Sequence, residues 1–501
     1  MNIVSLFDDK VRTRPDQPFL RYAGRTWTYA QADDLARRAA RVLAQHGVGA
    51  GDRVAMMCFN TPGFVFAMLG AWRMGAAVVP VNHKLQAPEV DYILAHARVG
   101  VTIFDGALHP VVERLSTPGV RLGTDSALPG HASFDALVEA AAPFEGVVPD
   151  DHSIAQVLYT SGTTGRPKGC LLSHHSACSA GATAAEVVGM KDDERTLMAM
   201  PLWHSSPLNN WMLGTLYVGG TLVLQREYHP QVFLETVQAE RVTLYFGAPV
   251  SYLLPLQMGL KIEDYELGSV RAWVYGGGPI GADTARRLMA AYRSERFYQV
   301  FGMTETGPAG TVLHPEEQVA KAGSIGCKPT PGVEMRVVCE NGQEARPGEV
   351  GEIWLKAASL MQGYLDAPEA SAEAIVDCWY RTGDLVRMDE DGYLFVVDRS
   401  KDMIVTGGEN VYSKEVEDVL IAHPSVRDVA VVGRPHPEWG ETVVAFVVPA
   451  SGAALDEADI SAFLASQLAK YKIPREYVVC ESLPRTPTGK LAKTALRSAA
   501  N

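Results

Sequence analysis

Residues 156–169 read Gln-Val-Leu-Tyr-Thr-Ser-Gly-Thr-Thr-Gly-Arg-Pro-Lys-Gly, a short apolar run followed by a loop of small and hydroxyl-bearing residues. Such a loop offers many backbone N–H groups, hydroxyls and little steric bulk, which is what a polyphosphate needs from a protein. Lys168 adds a mobile positive charge. Gly165 is followed by Arg166 and not by Lys and then Ser or Thr, so the loop is not a Walker motif. The apolar residues on both sides favour a phosphate-binding loop over a flexible surface linker.

Strand-like and helix-like patterns alternate along most of the chain around this loop. Thr28 and Gln31 have the spacing of a capping box, and the helical pattern that follows continues to about Gln45. Thr61-Pro62 places a cap residue before a proline at the first helical position. This alternation predicts an α/β chain with largely parallel sheets. Apolar strands are expected at 52–59, 77–81, 220–224, 243–246 and 270–275, and a helix is expected at 282–292.

The pattern changes after Gly323, where short strands separated by turns dominate. Beyond the charged residues 399–402, the chain has a further set of apolar strands and helices, long enough for a small separate domain. We therefore predict a large N-terminal domain of α/β sheets with a small β-rich subdomain at 1–398, a hinge at 399–402, and a small mobile α+β C-terminal domain at 403–501. Strands are expected at 332–339, 351–356, 393–398, 429–432 and 443–448.

Bulk composition limits the class of protein. The chain has 501 residues, of which 47% are hydrophobic and 21% charged, as in ordinary globular proteins. A net charge of −13 argues against a nucleic-acid partner. The seven cysteines include no Cys-x-x-Cys pair, so neither a zinc site nor a disulfide framework is indicated, and we expect a cytoplasmic protein. Residues 1–12 lack the apolar run of a signal peptide, and the apolar stretch 54–72 is interrupted at Asn60–Gly63, so we expect no integral membrane segment.

Four other segments carry further motifs in a fixed order. They are Tyr298-Gln-Val-Phe-Gly-Met-Thr-Glu305, Tyr380-Arg-Thr-Gly-Asp384, Gly392-Tyr-Leu-Phe-Val-Val-Asp-Arg399 followed by Lys401, and Pro484-Arg-Thr-Pro-Thr-Gly-Lys490. Together with 159–169, these segments resemble the motifs of the adenylate-forming superfamily, which includes acyl-CoA synthetases, aryl-CoA ligases, carrier-protein adenylation domains and luciferases. A single match of this kind is weak, whereas five in order at compatible spacing form a specific pattern.

The resemblance implies that a carboxylate attacks the α-phosphate of ATP and pyrophosphate leaves, so catalysis is mainly positioning and charge neutralisation. It implies ATP, Mg²⁺ and coenzyme A as cofactors and a small carboxylic acid as substrate. Glu305 would bind Mg²⁺ with help from the Thr160 hydroxyl, since Mg²⁺ prefers oxygen ligands. Lys490 would stabilise the α-phosphate and the carboxylate, and His204 would be a lid at the acyl pocket and not an acid–base catalyst. The phosphate grip would comprise Thr160, Ser161, Gly162, Thr163, Thr164, Gly165 and Lys168.

The resemblance also implies a nucleotide site. Asp384 would accept hydrogen bonds from the ribose hydroxyls, and Arg399 would reach the ribose or a phosphate. Phe301, where Tyr is common in the family, would stack on adenine. Gly276-x-Gly278-x-x-Gly281 formally matches the dinucleotide-binding fingerprint, with Glu295 near the spacing of a ribose-binding acid, so a dehydrogenase is kept as an alternative. The other nucleotide contacts would be Gly276, Gly277, Gly278, Pro279, Gly302, Met303 and Thr304.

A second half-reaction is implied, in which the small domain rotates about Lys401 and a thiolate attacks the acyl-adenylate. The loop Gly407-Gly408-Glu409-Asn410 would then admit a pantetheine arm beside its glycines. Trp439 and Lys472 are candidates for contacting coenzyme A. Two alternatives stay open, a stand-alone enzyme that loads a carrier protein in trans and a non-catalytic nucleotide-binding relative. A homodimer is also left open.

The sequence constrains the acid less closely. The expected pocket segments are 204–213, 245–249 and 276–279. Their aromatic residues suit an aryl acid or a short-to-medium apolar acid, and Asn209 and Asn210 would read a polar substituent if they face the pocket, because an unpaired buried amide is costly. The aromatic residues in and beside these segments are Trp203, Trp211, Tyr245 and Phe246.

Overall fold

The computed structural model describes residues 1–124, 128–160, 167–399, 401–406, 409–436, 440–452, 455–465, 467–468, 470–485 and 490–498. These residues form two compact units, and each is described by itself. The first unit contains Met1–Thr160, Pro167–Met335 and Leu355–Arg381, and the second contains Arg336–Trp354 and the described residues from Thr382 onwards. The hinge at 399–402 stays a prediction.

Local sequence signals determine where the helices begin. The Thr28 hydroxyl accepts from the Gln31 amide while the Gln31 side chain accepts from the Thr28 amide, as the capping-box spacing predicted. The Thr61 hydroxyl accepts from the amide of Phe64, with Pro62 at the first helical position. Helices are numbered along the chain. They are α1 Ile3–Thr13, α2 Tyr29–Gln45, α3 Pro62–Arg73, α4 Ala87–His96, α5 His109–Val112, α6 Phe134–Ala140, α7 His174–Val188, α8 Leu213–Val218, α9 Pro230–Glu240, α10 Pro249–Gln257, α11 Ala282–Tyr292, α12 Pro368–Ala374, α13 Ser413–Leu420, α14 Glu457–Ala465 and α15 Lys493–Ser498.

A nine-stranded sheet in the first unit has its parallel strands in the middle and antiparallel pairs at both edges. Strands are also numbered along the chain. This sheet contains β1 Pro18–Tyr22, β2 Arg25–Thr28, β10 Arg195–Met198, β11 Thr221–Leu224, β12 Leu244–Gly247, β13 Ala272–Gly276, β14 Phe297–Gly302, β15 Gly310–Leu313 and β16 Lys328–Pro329. Their order is β16-β15-β14-β13-β12-β10-β11-β1-β2, so the phosphate-loop strands do not belong to this sheet.

An eight-stranded sheet carries the phosphate loop at one side. It contains β3 Arg53–Met57, β4 Ala77–Pro80, β5 Val101–Asp105, β6 Val120–Thr124, β7 Ala132–Ser133, β8 Ile154–Thr160, β9 Lys168–Ser173 and β19 Gly363–Tyr364. The order is β19-β9-β8-β4-β3-β5-β6-β7, with β8–β9 and β9–β19 antiparallel and the other pairs parallel. The pairing of β19 with β9 brings residues that are far apart in sequence beside the phosphate loop.

The remaining strands form two five-stranded sheets. A third sheet contains β17 Val333–Val338, β18 Val350–Ala357, β20 Ile375–Val376, β21 Trp379–Met388 and β22 Leu394–Arg399. In the second unit, β23 Ile404–Thr406, β24 Glu409–Val411, β25 Val426–His436, β26 Gly440–Pro449 and β27 Glu476–Val479 form a sheet with order β24-β23-β26-β25, and β27 pairs with β26. The predicted α/β class, with a large N-terminal part and a smaller C-terminal part, is confirmed.

Close helix packing and aromatic burial stabilise the first unit. A Cβ placed on Gly70 of α3 would lie 2.7 Å from the Ala39 Cβ of α2, so this helix pair needs small residues at its contact. Tyr245 lies in a second core, where its ring centroid is 4.6 Å from that of Phe233. The expectation that Tyr245 lines the acyl pocket is therefore wrong, because successive residues of a strand face opposite sides and Phe246 takes the other side.

None of the helices in the described ranges is long and apolar enough to cross a bilayer.

Candidate active site

The phosphate loop connects two antiparallel strands whose ends are both held by α4. Thr160 at the end of β8 pairs with Lys168 at the start of β9. The Tyr159 hydroxyl lies 2.7 Å from Nδ1 of His96, and the Tyr92 hydroxyl donates to the Pro167 carbonyl over 3.0 Å. Both entry and exit of the loop are thus anchored to one helix. The predicted loop residues Ser161, Gly162, Thr163, Thr164 and Gly165 lie outside the described residues.

Lys168 and Glu305, which are 137 positions apart in sequence (305 minus 168), meet at the ring of Tyr364. The Tyr364 hydroxyl donates to Oε1 of Glu305 over 3.0 Å. The Lys168 ammonium lies 5.0 Å from the centroid of the same ring, a cation–π distance. Glu305 is only 8% exposed. One tyrosine side chain therefore contacts both a cation and a buried carboxylate at the end of the phosphate loop.

The Thr160 hydroxyl belongs to the same cluster. The buried Cys170 thiol lies close enough to the Thr160 hydroxyl and the Glu305 carboxylate for both groups to affect its pKa. Burial raises the pKa of Cys170, and the neighbouring Glu305 carboxylate raises it further, so the thiol stays protonated. Burial likewise raises the pKa of Tyr364 and of Tyr380, with the Glu305 carboxylate adding to both, so both phenols remain hydrogen-bond donors.

Glu305 is presented by a single 3₁₀ turn, Thr304–Thr306. The Met361 amide donates to the Glu305 carbonyl over 2.8 Å, and the Ser359 hydroxyl donates to the Thr306 carbonyl over 2.6 Å. Gly307 follows with φ +66°, and a Cβ there would be 2.6 Å from the Ser359 carbonyl oxygen, so glycine is required. These backbone contacts fix the direction of the carboxylate.

The other residues of the second core motif lie on β14 and the turn after it. Phe301 and Gly302 pair with Thr311 and Gly310 of β15. A Cβ on Gly302 would approach the Pro308 carbonyl oxygen to 2.5 Å, so this close pairing excludes a side chain. Met303 follows directly and donates its amide to the hydroxyl of Thr306 over 3.2 Å, which leads the chain into the turn that carries Thr304 and Glu305.

The glycine segment after β13 lies beside the same strand. A Cβ on Gly276 would lie 3.1 Å from the Val300 carbonyl oxygen and 3.2 Å from the Phe246 ring. Gly277 has φ +83°, which favours glycine. Gly278 and Pro279 continue the turn towards α11. Close approach to neighbouring atoms therefore explains Gly276 and the positive φ explains Gly277, whereas a Cβ on Gly278 would meet no atom within 4 Å.

A small cleft lies beside Phe301. A π-helical turn, Ser206–Met212, contributes Asn210 and Trp211 to its wall. The Trp211 and Phe246 rings stack with centroids 5.3 Å apart. π-Helical turns are rare and are frequent at functional sites. The cleft thus contains one of the three segments that the sequence assigned to an acyl pocket, and Phe246 of a second segment packs against its wall residue Trp211.

His204 lies at the end of an aromatic row. Its ring stacks on Trp203 with a centroid distance of 4.1 Å, and the Trp203 indole N–H donates to Nδ1 of His83 over 3.1 Å. Burial lowers the pKa of His83 to about 4, so its ring is neutral and able to accept at neutral pH. Phe59 completes the row, 4.3 Å from His83. This packing suits a lid residue better than a proton-transfer group.

In the second unit, Asp384 and Arg399 face each other across the β21–β22 pair. Nε of Arg399 lies 2.8 Å from Oδ1 of Asp384, which is buried, while Arg399 is 38% exposed. Burial raises the pKa of Asp384, and the charges of Arg399 and Lys490 oppose that rise. The structure therefore brings these three predicted residues of the second unit into electrostatic contact.

A buried ionic network connects the predicted hinge strand to the last helix. The Ser413 amide and hydroxyl both donate to Oδ2 of Asp398, and the Lys493 ammonium donates to the Ser413 hydroxyl over 2.6 Å. Lys493 also pairs with Glu417 at 2.7 Å. Asp398 immediately precedes Arg399, and Lys493 lies three positions after Lys490, so the network fixes the backbone near both predicted site residues.

The predicted coenzyme A contacts are described only in part. Lys472 forms an ion pair with Glu415, its ammonium 2.7 and 2.8 Å from the two carboxylate oxygens. Its charge is therefore already paired. Gly407, Gly408 and Trp439 lie outside the described residues, and Glu409 is described only as the first backbone position of β24. For Lys401, burial lowers the pKa of the ammonium, and its carbonyl accepts from Arg497 over 3.1 Å.

Sequence reasoning missed Tyr364, Tyr380 and the network around Lys493. Tyr380 is the first residue of a motif in which only Asp384 was given a role, so the sequence did contain a signal for Tyr380. Tyr364 had no such signal, because its role depends on the pairing of β19 with β9. Lys493 resembles an ordinary helix lysine until the fold places Ser413 and Glu417 around it.

A family model of AMP-binding enzymes matches residues 7–365, and a model of the AMP-binding enzyme C-terminal domain matches residues 415–490. The chain belongs to the AMP-binding enzyme family. This AMP-binding enzyme is 36% identical over 97% of its length to a feruloyl-CoA synthase of an Amycolatopsis species, 97% of which is covered. It is 35% identical to the long-chain-fatty-acid–CoA ligase FadD13 of Mycobacterium tuberculosis, with 94% of this chain and 92% of the relative covered.

Among solved structures, the AMP-binding enzyme resembles ATP-bound MatB from Rhodopseudomonas palustris, with a TM-score of 0.87 and 31% identity over 100% of this chain and 99% of the other. The recognition of the adenylate-forming superfamily and the prediction of an enzyme of the acyl-CoA synthetase class are confirmed. The dehydrogenase alternative is set aside, because the glycine segment at 276–281 lies inside the matched AMP-binding region.

Proposed function

We propose that this enzyme is an AMP-forming carboxylate–CoA ligase that acts in two steps. The observation that carries the proposal is the convergence of Lys168 and Glu305 on the Tyr364 ring beside the phosphate loop. A cation and a buried carboxylate at a loop of this composition suit a nucleoside triphosphate with its divalent cation. The family match and the names of the relatives support the same reaction class.

Glu305 and Thr160 are the residues that would hold Mg²⁺. Within the described part of the chain, no three His, Cys, Asp or Glu side chains form a metal cage. One buried carboxylate beside a hydroxyl nevertheless fits Mg²⁺, because this ion is usually bound by one or two carboxylates and completes its shell with substrate phosphates and water. When bound, the ion neutralises phosphate charge.

In the first step, a carboxylate oxygen of the acid forms a bond to the α-phosphorus of ATP, and the bond from that phosphorus to the bridging oxygen of pyrophosphate breaks. We assign Lys168 to the phosphates and Lys490 to the α-phosphate and the attacking carboxylate. Asp384 accepts from the ribose hydroxyls, with Arg399 beside it. Phe301 stacks on adenine, and His204 closes the acyl pocket.

In the second step, the thiolate sulfur of coenzyme A bonds to the acyl carbon, and AMP leaves with the oxygen that joined it to the acyl group. We assign Lys401 as the pivot between the two steps and 407–409 as the loop beside the pantetheine arm. Trp439 stays a candidate for coenzyme A. Lys472 reaches a phosphate of coenzyme A only by exchanging its ion pair with Glu415.

We propose an aryl carboxylic acid as the substrate. The walls of the cleft include the aromatic side chains of Trp211 and Phe301. Flat aromatic walls suit a flat ring better than a long alkyl chain. The feruloyl-CoA synthase relative supports this choice over the long-chain relative.

The purified enzyme tests the proposal with two assays. Exchange of labelled pyrophosphate into ATP, measured with a series of aryl and alkyl acids, should occur with aryl acids. Adding coenzyme A should then produce thioester and AMP in equal amounts. Absence of exchange with every acid would contradict the ligase assignment. Exchange without thioester, together with acyl transfer to a phosphopantetheinylated carrier protein, would replace coenzyme A by the carrier protein as acceptor.

A further inference from the structure

The C-terminal half of α4 carries two rings that contact the two ends of the phosphate loop. Tyr92 and His96 are four positions apart (96 minus 92), so they lie on one face of the helix. Their rings stack with centroids 5.4 Å apart and an interplanar angle of 14°. Nδ1 of His96 lies 2.7 Å from the Tyr159 hydroxyl, and the Tyr92 hydroxyl donates to the Pro167 carbonyl. His96 therefore contacts the entry of the loop directly and the exit through Tyr92.

Packing and a hydrogen bond fix α4 on the eight-stranded sheet. Ile93 and Leu94 are buried in the same core as Val157 of β8. At the end of the helix, a guanidinium N–H of Arg53 donates to the Ala97 carbonyl over 3.0 Å, which ties the helix to the start of β3. A group that contacts this helix is therefore held relative to the sheet that carries the loop.

The ring of Tyr159 connects His96 to both strands that flank the loop. Tyr159 pairs with Gly169 across β8 and β9, and a Cβ on Gly169 would lie 3.3 Å from Cζ of the tyrosine, so the ring packs over the glycine. Thr160 follows Tyr159, and Lys168 precedes Gly169. Burial raises the pKa of Tyr159, so its hydroxyl keeps its proton and shares a hydrogen bond with Nδ1 of His96 in either tautomer of the imidazole. Any shift of this ring therefore moves the backbone next to Thr160 and Lys168.

From these contacts we infer that His96 is a positioning residue for triphosphate binding, because it fixes both ends of the phosphate loop through Tyr159 and Tyr92. The inference rests on the proposed function, in which this loop binds the phosphates that leave as pyrophosphate. The effect of His96 should appear with ligands that carry those phosphates and not with AMP, which lacks them. A general loss of structure would weaken the binding of both kinds of nucleotide alike.

The test measures the binding of α,β-methylene-ATP and of AMP, each with Mg²⁺, by titration calorimetry. His96→Phe keeps a ring beside Tyr92 and removes Nδ1, so the Tyr159 hydroxyl loses this hydrogen bond. The variant should bind α,β-methylene-ATP about 2- to 10-fold more weakly, the range expected for one hydrogen bond, and AMP with wild-type affinity. In pyrophosphate exchange, KM for ATP should rise by a similar factor while KM for the acid stays unchanged.

Three more variants separate the hydrogen bond from packing. His96→Asn places an amide atom near the position of Nδ1 and should restore most of the affinity for α,β-methylene-ATP; an Asn variant as weak as His96→Phe would count against the hydrogen bond. Tyr159→Phe removes the same bond from its other side, so adding it to His96→Phe should cause no further loss. His46→Phe is the matched control, because His46 also ends a helix and its Nδ1 lies 2.8 Å from the Val42 carbonyl oxygen. It should leave both affinities unchanged.

The two proposals fail in different ways. Wild-type affinity of His96→Phe for α,β-methylene-ATP, or equal weakening of this analogue and AMP, would overturn the positioning role and leave the ligase assignment intact. Should His96→Phe fail to fold, Tyr159→Phe has the same expected result and the same refutation. If no carboxylic acid supports pyrophosphate exchange, the ligase assignment fails, and the binding measurements still decide the role of His96. A wild-type enzyme that binds neither nucleotide would overturn both.

Discussion

Replacing Tyr364 with Phe removes one hydroxyl and leaves the ring in place. The hydroxyl donates to Oε1 of Glu305 over 3.0 Å, and the ring lies 5.0 Å from the Lys168 ammonium. The substitution therefore separates two roles of one side chain. It should remove the hydrogen bond that orients Glu305 while the cation–π contact with Lys168 persists.

The size of the effect follows from the charge on the acceptor. A hydrogen bond to an ionised group contributes about 1.5–3 kcal/mol. Since about 1.36 kcal/mol corresponds to a tenfold change in rate, Tyr364→Phe should lower kcat/KM for ATP by about 10- to 150-fold. Because Glu305 is the proposed magnesium ligand, the loss should be largest at low Mg²⁺ and should diminish as Mg²⁺ is raised.

Two measurements check the predicted effect of Tyr364→Phe on the Mg²⁺ dependence. Pyrophosphate exchange is followed over a range of Mg²⁺ concentrations, and binding of Mn²⁺ in the presence of ATP is followed by electron paramagnetic resonance. Tyr29→Phe is a matched control, because its buried hydroxyl donates to the Gly220 carbonyl over 2.8 Å in the core. The control should lower the melting temperature and leave both metal dependences unchanged. A Tyr364→Phe enzyme with wild-type Mg²⁺ dependence and wild-type Mn²⁺ affinity would refute the positioning role.

Three further predictions concern the second unit. Lys490→Ala should strongly impair adenylate formation and largely spare thioester formation from supplied acyl-AMP; equal loss in both assays would contradict its role. Lys401→Pro should do the reverse by restricting the pivot, and undiminished overall turnover would argue against rotation there. Asp384→Asn should abolish ATP binding yet raise the melting temperature at neutral pH. Burial raises the pKa of Asp384 above its ordinary 3.8, so the folded protein loses stability when this carboxyl ionises. The gain in melting temperature from Asp384→Asn should therefore vanish by about pH 3, where the carboxyl is protonated.

Much of the fold could be predicted because its signals are local. The helix expected at 282–292 is α11, Ala282–Tyr292, and the strand expected at 52–59 is β3, Arg53–Met57. Apolar periodicity and cap residues act within a few positions, so a single sequence displays them. The order of strands within each sheet was not predicted, because it depends on contacts between segments far apart in the chain.

The site could be predicted where a motif contains its own chemistry. Glu305, Asp384 and Lys168 are each the charged residue of a quoted motif, and the structure places each one in a cluster with other polar groups. Tyr364 could not be found this way, because a tyrosine becomes a positioning residue only when β19 pairs with β9. Tyr245 fails for a related reason, since the sequence does not show which face of β12 turns towards the cleft.

Specificity is harder to predict from the sequence than catalysis, for a physical reason that this cleft illustrates. A threonine in a sequence is both donor and acceptor, and an asparagine has both capacities as well. The fold removes one of them, as when Thr183 gives its proton to Pro331 and Asn210 turns its nitrogen to Pro308. Residue types therefore suggest that a pocket is polar, whereas the backbone carbonyls around it determine that its polar side chains offer mainly acceptors.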